Sequence, residues 1–240
     1  MKQIMLIARR DLGAYLHSYF GWIIIALVLL VDGLLFNAWA LEGSKTSSEV
    51  VTDFFFITFG VLAFACTFIA MPTFAAERER NSIVLLLTAP ISEWEMVLGK
   101  FLGALGFLGI IMALTIYQPL MVLVHGNLEI GQIFSGYLGL LLVCSLMLAV
   151  GIFGSVVSTN QILAVVITGV LIAFFVIGWY LSSVTDPPFD SILAYVSFYD
   201  QRFQPFGYGD VHLSTIVYFP TAAFAFLLAT ARVLQMRRWR

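Results

Sequence analysis

Long apolar stretches separated by short polar segments dominate the chain. A membrane-spanning helix needs about 20 mostly apolar residues. Six stretches meet that requirement, at about 20–41, 54–75, 98–124, 133–157, 160–181 and 214–234. A spanning β-barrel would instead show segments of about ten residues with alternating polarity, and the sequence has no such pattern. We therefore predict an all-α membrane protein with six transmembrane helices, forming a single domain over residues 1–240.

The composition excludes an ordinary soluble domain. Hydrophobic residues make up 61% of the chain and charged residues only 11%, whereas soluble domains carry about 25% charged residues. Cys66 and Cys144 both lie inside apolar stretches, so we interpret them as small buried hydrophobic residues. The N-terminal segment lacks the short apolar core and cleavage site of a removable signal peptide, so the first span is expected to stay in the protein.

Positive charge is distributed unevenly between the two ends of the predicted spans. Lys and Arg concentrate on the cytoplasmic side of membrane proteins. With both termini in the cytoplasm, the outer side holds only Lys45 and Arg202 of the 12 cationic residues. All the others then lie inside, namely Lys2, Arg9, Arg10, Arg78, Arg80, Lys100, Arg232, Arg237, Arg238 and Arg240. This asymmetry predicts cytoplasmic N- and C-termini.

Two segments outside the spans have patterns of their own. Residues 2–18 alternate basic and apolar side chains, which predicts an amphipathic elbow helix on the membrane surface. The longest outer loop, 182–213, is rich in Pro, Gly and aromatic residues, and its apolar stretch 192–198 is too short to span. We expect a short interfacial helix in that stretch. Phe203, Phe206 and Tyr208 are candidates for a surface that contacts a partner protein.

Residues 77–95, here called the coupling segment, are charged, amphipathic and interrupted by a proline. Ser82 is suited to begin a short helix that Pro90 ends, and Ser92 has the capping-box spacing that begins the next helix. A solvated loop that only anchors the topology would leave the apolar run 83–87 unexplained, because exposed apolar patches usually cover something. We predict that this segment binds a partner through Glu77, Arg78, Glu79, Arg80, Ser82, Leu86, Leu87, Pro90 and Ser92.

The coupling segment and the residues that follow it, 77–100, resemble the signature of ABC-2 type permeases, the membrane subunits of type V ABC exporters. The matching positions are Glu77, Glu79, Asn81, Ser82, Leu86, Leu87, Pro90, Ser92, Gly99 and Lys100. Asn81 stands where members of that family usually have Gly, and Asn also permits a left-handed turn. Residues 8–25 and 194–220 are similar to the gliding-motility-associated (GldF-like) permeases, so the resemblance covers nearly the whole chain.

The resemblance implies a half-transporter with the type V ABC exporter fold in a bacterial inner membrane. Two permease chains, identical or different, would pair around a central path, and in the gliding type the second chain carries a large extracytoplasmic region. A separate ATP-binding subunit, which binds ATP and Mg, would dock on the coupling helix between spans two and three. This chain lacks the phosphate-binding motif G-x-x-x-x-G-K-[ST], so we expect it to be no enzyme. We also expect it to bind no cofactor or nucleic acid and to contact membrane lipid.

Polar and small residues inside the spans allow more than one role. Asp32 is the only carboxylate within a predicted span, with Asn37 five positions further on. Because ionisable groups at membrane depth are costly, Asp32 lines a path, bonds between helices or lies near the outer headgroups. The third span carries a small-residue face at Gly99, Gly103, Gly106 and Gly109, suited to close packing within the chain or against a second chain.

The leading prediction is a permease subunit that is energised by a separate ATPase and acts on an envelope or export substrate. Two alternatives stay open. The first is a membrane scaffold that transmits ATP cycles to an envelope machine without transporting anything, in which case the aromatic outer loop would be its protein-binding surface. The second is a passive channel or carrier that works without ATP.

Overall fold

A computed structural model describes residues 2–41, 45–80, 92–126, 128–184, 197 and 199–238, and every regular element in this part is helical. The helices are α1 (Lys2–His17), α2 (Tyr19–Leu35, continued by a π-helical turn Phe36–Ala40), α3 (Ser47–Ala70), α4 (Ala75–Glu79), α5 (Glu93–Thr115), α6 (Tyr117–His125), α7 (Ile130–Val157), α8 (Gln161–Val184), α9 (Gln204–Tyr208, preceded by a π-helical turn Tyr199–Phe203) and α10 (Leu213–Arg238).

Six helical stretches of the described chain are long and apolar enough to cross a membrane, as the sequence predicted. They are Tyr19–Ala40, Ser47–Glu79, Glu93–Val124, Ile130–Val157, Gln161–Gly178 and Leu213–Met236. Large apolar side chains such as Ile23, Val170 and Val217 are exposed on them. Exposing that much apolar surface to water is unfavourable, whereas a lipid environment accommodates it. The architecture is that of a multi-pass membrane protein.

Helix α7 lies at the centre of the bundle. It contacts α3, α5, α8, α9 and α10, and its side chains are buried along most of its length. By contrast, only 33%, 22% and 28% of the spanning parts of α2, α8 and α10 are buried. The large buried aromatic residues Phe54, Phe55 and Phe107 fill the space between the helices. A filled interior of this kind has the close packing of protein cores.

The second span begins earlier than the sequence analysis placed it. We predicted a start near residue 54 after a polar loop 42–53, but α3 begins at Ser47. Thr46 and Glu49 form a capping box: the Thr46 hydroxyl accepts from the Glu49 N–H at 3.4 Å, and the Glu49 carboxylate accepts from the Thr46 N–H at 2.8 Å. Because such a box satisfies free N–H groups of the first turn, a polar turn continues the apolar helix.

Proline interrupts the third span. Helix α5 ends at Thr115 and α6 begins at Tyr117. Pro119 has no N–H and its ring clashes with the carbonyl four residues earlier, which is that of Thr115. The Thr115 hydroxyl donates to the Met112 carbonyl at 2.8 Å and lies 3.1 Å from the Tyr137 hydroxyl on α7. The interruption is therefore tied to the central helix.

Candidate functional site

The second span is interrupted between α3 and α4, at the end of the bundle from which the coupling segment continues. Pro72 lies in this interruption and cannot supply the N–H that an unbroken helix needs. Ser155 of α7 repairs the lost bonding: its hydroxyl donates to the Met71 carbonyl at 2.9 Å and accepts from the N–H groups of Phe74 and Ala75 at 3.1 and 3.0 Å. One side chain of the central helix thus fixes the position of α4.

Tyr15 attaches α1 to the end of α3. Its hydroxyl donates to the Ile69 carbonyl at 2.7 Å, and its ring stacks on Phe107 of α5 with 4.9 Å between ring centroids. Burial raises the pKa of the Tyr15 hydroxyl well above its usual value, and the negative charges of Asp11 and Glu77 raise it further. Tyr15 therefore stays protonated and keeps donating this bond.

A cluster of four charged side chains joins α1, α4 and α5. The Lys100 ammonium lies 2.7 Å from Glu77 Oε1 and 3.4 Å from Asp11 Oδ2, and only 3% of the Lys100 side chain is exposed. Arg10 completes the cluster, with its guanidinium 2.8 Å from Asp11 Oδ1 and 3.6 Å from Glu77 Oε1. A buried ammonium loses its hydration, and two carboxylates at these distances compensate for that loss.

The next two residues of α4 bind the neighbouring spans. The Arg78 guanidinium donates to the carbonyl of Val156 at 2.9 Å and to that of Ser158. These carbonyls lie at the C-terminal end of α7, where backbone acceptors lack helical partners and a positive charge is favourable. Glu79 accepts from the Gln161 amide at 2.7 Å, at the first residue of α8.

The glycine face of the third span is occupied by α1. A Cβ atom at Gly99 would lie 2.7 Å from Ile7 Cβ, and one at Gly103 would lie 3.0 Å from the Ala8 carbonyl oxygen. The first distance is too short for any side chain and the second leaves very little room for one, so α1 approaches α5 closely because these residues are glycines. At Gly99, Gly103 and Gly106 the face therefore packs within the chain, which was one of the two alternatives that the sequence allowed, whereas Gly109 has no such neighbour among the described residues.

The structure describes five of the nine residues predicted to bind a partner. Ser82, Leu86, Leu87 and Pro90 lie outside the described residues. Ser92 begins α5 with the predicted capping box: its hydroxyl accepts from the Glu95 N–H at 3.2 Å, and the Glu95 carboxylate accepts from the Ser92 N–H at 3.3 Å. Glu77, Arg78 and Glu79 bond to other helices, whereas Arg80 is exposed. The first three thus position α4.

Asp32 bonds between helices inside the bundle. It is fully buried, and its two carboxylate oxygens accept from the Thr58 hydroxyl and from the Gln118 amide, each at 3.0 Å. These bonds join α2 to α3 and α6. Asn37 is exposed on the π-helical turn that continues α2, so the two polar residues do not form one site.

The predicted aromatic surface on the outer loop needs correction. Phe203 and Phe206 are each only 1% exposed. The Phe203 ring stacks on Phe59 with 4.9 Å between ring centroids. Phe206 packs directly against Gly139, where a Cβ atom would lie 2.7 Å from the Phe206 Cβ. Phe206 is buried because this glycine leaves room for it on α7, and Phe203 is buried against α3. Tyr208 is exposed, and of the predicted interfacial helix 192–198 only Ser197 lies within the described residues.

Several residues that organise this region were not among the predicted site residues. Asp11, Tyr15 and Ser155 supply contacts at the α3–α4 interruption, and Thr58 and Gln118 bind Asp32. A signal was present for Gln118 and Thr58, since polar side chains within apolar spans usually have partners. Asp11 carried a weaker signal, as a carboxylate in a predicted basic helix.

Comparison with known proteins gives one positive result. A family model described as ABC-2 family transporter protein matches residues 5–236. No curated protein matches the chain significantly. The family match agrees with the resemblance of the coupling segment and leaves the gliding-associated subtype as a prediction. Nearly the whole six-helix chain is covered by the match, and the chain therefore belongs to the ABC-2 family of transporter proteins.

Proposed function

We propose that this membrane permease subunit is driven by a separate ATP-binding subunit that docks on the coupling segment. The carrying observation is the attachment of α4, the short helix in which the coupling segment begins. Glu77 binds Lys100 of α5, Arg78 binds the end of α7, and Glu79 binds the start of α8. A displacement of the chain beyond Arg80 would therefore act on three spans through direct polar contacts.

The length of α4 supports this transmission. It has five residues, and an isolated helix of that length is unstable in water because nucleation is unfavourable. Its conformation depends on Ser155 and on the ionic contacts of Glu77. A helix held in this way moves together with its neighbours. A displacement caused by docking at the end of α4 would therefore move the spans and would not merely unfold α4 locally.

A transport path would require a second chain. In the described bundle α7 occupies the centre, where it contacts five other helices and buries most of its side chains. A path through one chain would have to displace this packed interior, whereas a path between two chains would not. We therefore propose a pair of permease chains, of the gliding-associated type, in a bacterial inner membrane with both termini in the cytoplasm. The substrate would be an envelope or export substrate.

Docking can be tested with two leucines of the coupling segment. In Leu86→Glu/Leu87→Glu, two apolar side chains of the proposed contact become charged, and co-purification of the ATP-binding subunit should fall by about 100-fold. The matched control is Val211→Glu/Leu213→Glu, because both residues are exposed at the proposed outer side. That control should bind the ATPase like the wild type. Unchanged binding by the leucine variant would contradict the proposed docking site.

A further inference from the structure

A cavity of about 610 Å³ opens beside α4, between α1, the α3–α4 interruption and the start of α8. Part of its wall is charged and part is apolar. The charged side chains are Arg10, Asp11, Glu77, Arg80 and Lys100. The apolar part includes Ala14, Phe20, Met71, Pro72 and Ala76. A ligand that fits this wall has an ionic end and an apolar end.

The charges of the wall favour an anion. Three cations face two carboxylates, and both carboxylates approach Lys100. Arg10 shares these carboxylates while 54% of its side chain stays exposed. Arg80 is exposed and makes no ion pair with any residue that the structure describes. The guanidinium groups of Arg10 and Arg80 therefore leave a net positive charge available at the opening.

The position of the cavity indicates where the anion comes from. It is lined at the ends of three spans: near the start of α2 by Phe20, near the end of the second span by Glu77, and at the start of α8 by Gln161. Span ends lie at the level of the lipid headgroups. On the proposed cytoplasmic side the lipid surface is negatively charged, and basic pockets between spanning helices bind such headgroups.

We propose that this cavity binds an anionic phospholipid of the cytoplasmic leaflet. The phosphate contacts Arg10 and Arg80, and an acyl chain lies over the apolar wall at Phe20 and Met71. The bound lipid bridges α1 and α4 at the position where the coupling segment begins. The inference rests on the proposed orientation in the membrane and is independent of ATPase docking.

The test measures lipid binding to the purified full-length chain by native mass spectrometry. The probes are phosphatidylglycerol and phosphatidylcholine with identical acyl chains. We expect preferential binding of phosphatidylglycerol, with affinity falling about fivefold for each arginine removed in Arg80→Gln and in Arg10→Gln/Arg80→Gln. The matched control, Arg9→Gln/Arg232→Gln, removes the same charge from exposed positions outside the cavity and should bind like the wild type.

The single variant Arg80→Gln protects the test against misfolding, because Arg80 belongs to no ion pair of the described cluster. An equal affinity for the two lipids would overturn the proposal. Equal losses in the cavity and control variants would overturn it too, since they indicate general surface attraction. Displacement of the lipid by an equimolar amount of inorganic phosphate would mean that the acyl chain is not bound. No ATPase is present in this assay, so its failure does not bear on docking.

Discussion

Lys100 combines an apolar position with a full charge. Only 3% of its side chain is exposed, and its charge is compensated by the ion pairs with Asp11 and Glu77. Removing an ammonium from water has a large desolvation penalty, and the mutual attraction of the three groups offsets it. Removing the lysine would leave two carboxylates close together in a poorly hydrated place. The cluster is therefore more sensitive to the loss of one member than an exposed ion pair is.

Lys100→Met should lower the stability of the chain by about 2–4 kcal/mol. We expect a value below that of a completely buried pair, because the Asp11 and Glu77 side chains keep 15% and 18% exposure. Lys45→Met is the control: the Lys45–Asp53 pair is about one-third exposed, so the loss should be within about 1 kcal/mol. Thermal unfolding in detergent measures both, and similar shifts for the two variants would contradict the structural role of the cluster.

Ser155→Ala should destabilise the α3–α4 interruption by about 2 kcal/mol, because two N–H groups and one carbonyl lose their partner in a buried place. Ser145→Ala offers a comparison on the same helix. The Ser145 hydroxyl donates only to the Leu142 carbonyl of its own helix, so its removal should change stability by less than about 1 kcal/mol. If both variants unfold at the same temperature, Ser155 does not repair the interruption.

Residue-level prediction succeeded where the signal was local. The Ser92 capping box follows from two residues three positions apart. The contact between Lys100 and Asp11 joins residues 89 positions apart, and nothing in the local pattern selects that partner. Distant contacts also explain why Phe203 and Phe206 were wrongly predicted to lie on a protein-binding surface. The burial of Phe206 depends on Gly139 of α7 and that of Phe203 on Phe59 of α3, both far away in the sequence.

The amphipathic pattern of helix α1 did not determine whether its apolar side contacts lipid or protein. Its apolar side was predicted to rest on the membrane, but Ile7, Ala8 and Tyr15 are buried against the chain itself. Met5 and Leu6 stay exposed and are available to lipid. Lipid and protein are both apolar surroundings, so hydrophobic periodicity alone does not distinguish them. The glycines of α5 favour packing of α1 against the protein, because they allow a close approach that lipid does not require.

Gly103→Leu should separate α1 from α5. The Cβ of the new side chain would lie 3.0 Å from the Ala8 carbonyl oxygen on α1, so the side chain would collide with that backbone. A side chain at Gly109 would make no such contact. The reporter is Ala8→Cys, since Ala8 is 7% exposed and the native Cys66 and Cys144 are buried. Maleimide labelling of the reporter should increase in Gly103→Leu and stay low in Gly109→Leu. Equal labelling in the two backgrounds would show that the glycine face does not hold α1.

The ends of the helices were predicted less well than their existence. Apolar length identified all six spans, but it placed the start of the second at residue 54 instead of Ser47. A search for apolar residues treats Thr46, Glu49 and Asp53 as loop. Helix termini favour such residues because they cap free N–H groups. A capping pattern located α5 correctly, and the same argument applied at Thr46 would have located α3.

At the scale of the whole molecule, the number of spans was predictable and their arrangement was not. The bilayer imposes a length that soluble helices need not meet, so the six stretches were distinct in the sequence. Their packing order depends on side-chain shapes, and all six are similarly apolar. The central place of α7 was therefore not predicted. It is the most buried of the six spans.

The proposed topology can be tested with single cysteines at exposed positions. Met236 is 67% exposed near the end of α10, and Tyr208 is 59% exposed in the outer loop. With cytoplasmic termini, Met236→Cys should react with a membrane-impermeant maleimide only in inverted vesicles. Tyr208→Cys should react only in intact cells or right-side-out vesicles. The reverse pattern would contradict the orientation, and reaction of both residues from one side would contradict six complete spans.

We propose that ATP bound to a separate subunit moves the spans through the coupling segment. The direct measurement is the maleimide-labelling rate of Gly60→Cys in the reconstituted complex with its ATPase. Gly60 is exposed on α3, and a Cβ built there would meet no described atom of another helix within 4 Å. Addition of ATP should change this rate in the wild-type background, and Leu86→Glu/Leu87→Glu should abolish the change. An ATP-dependent change that persists in the leucine variant, or none in the wild type, would contradict the account.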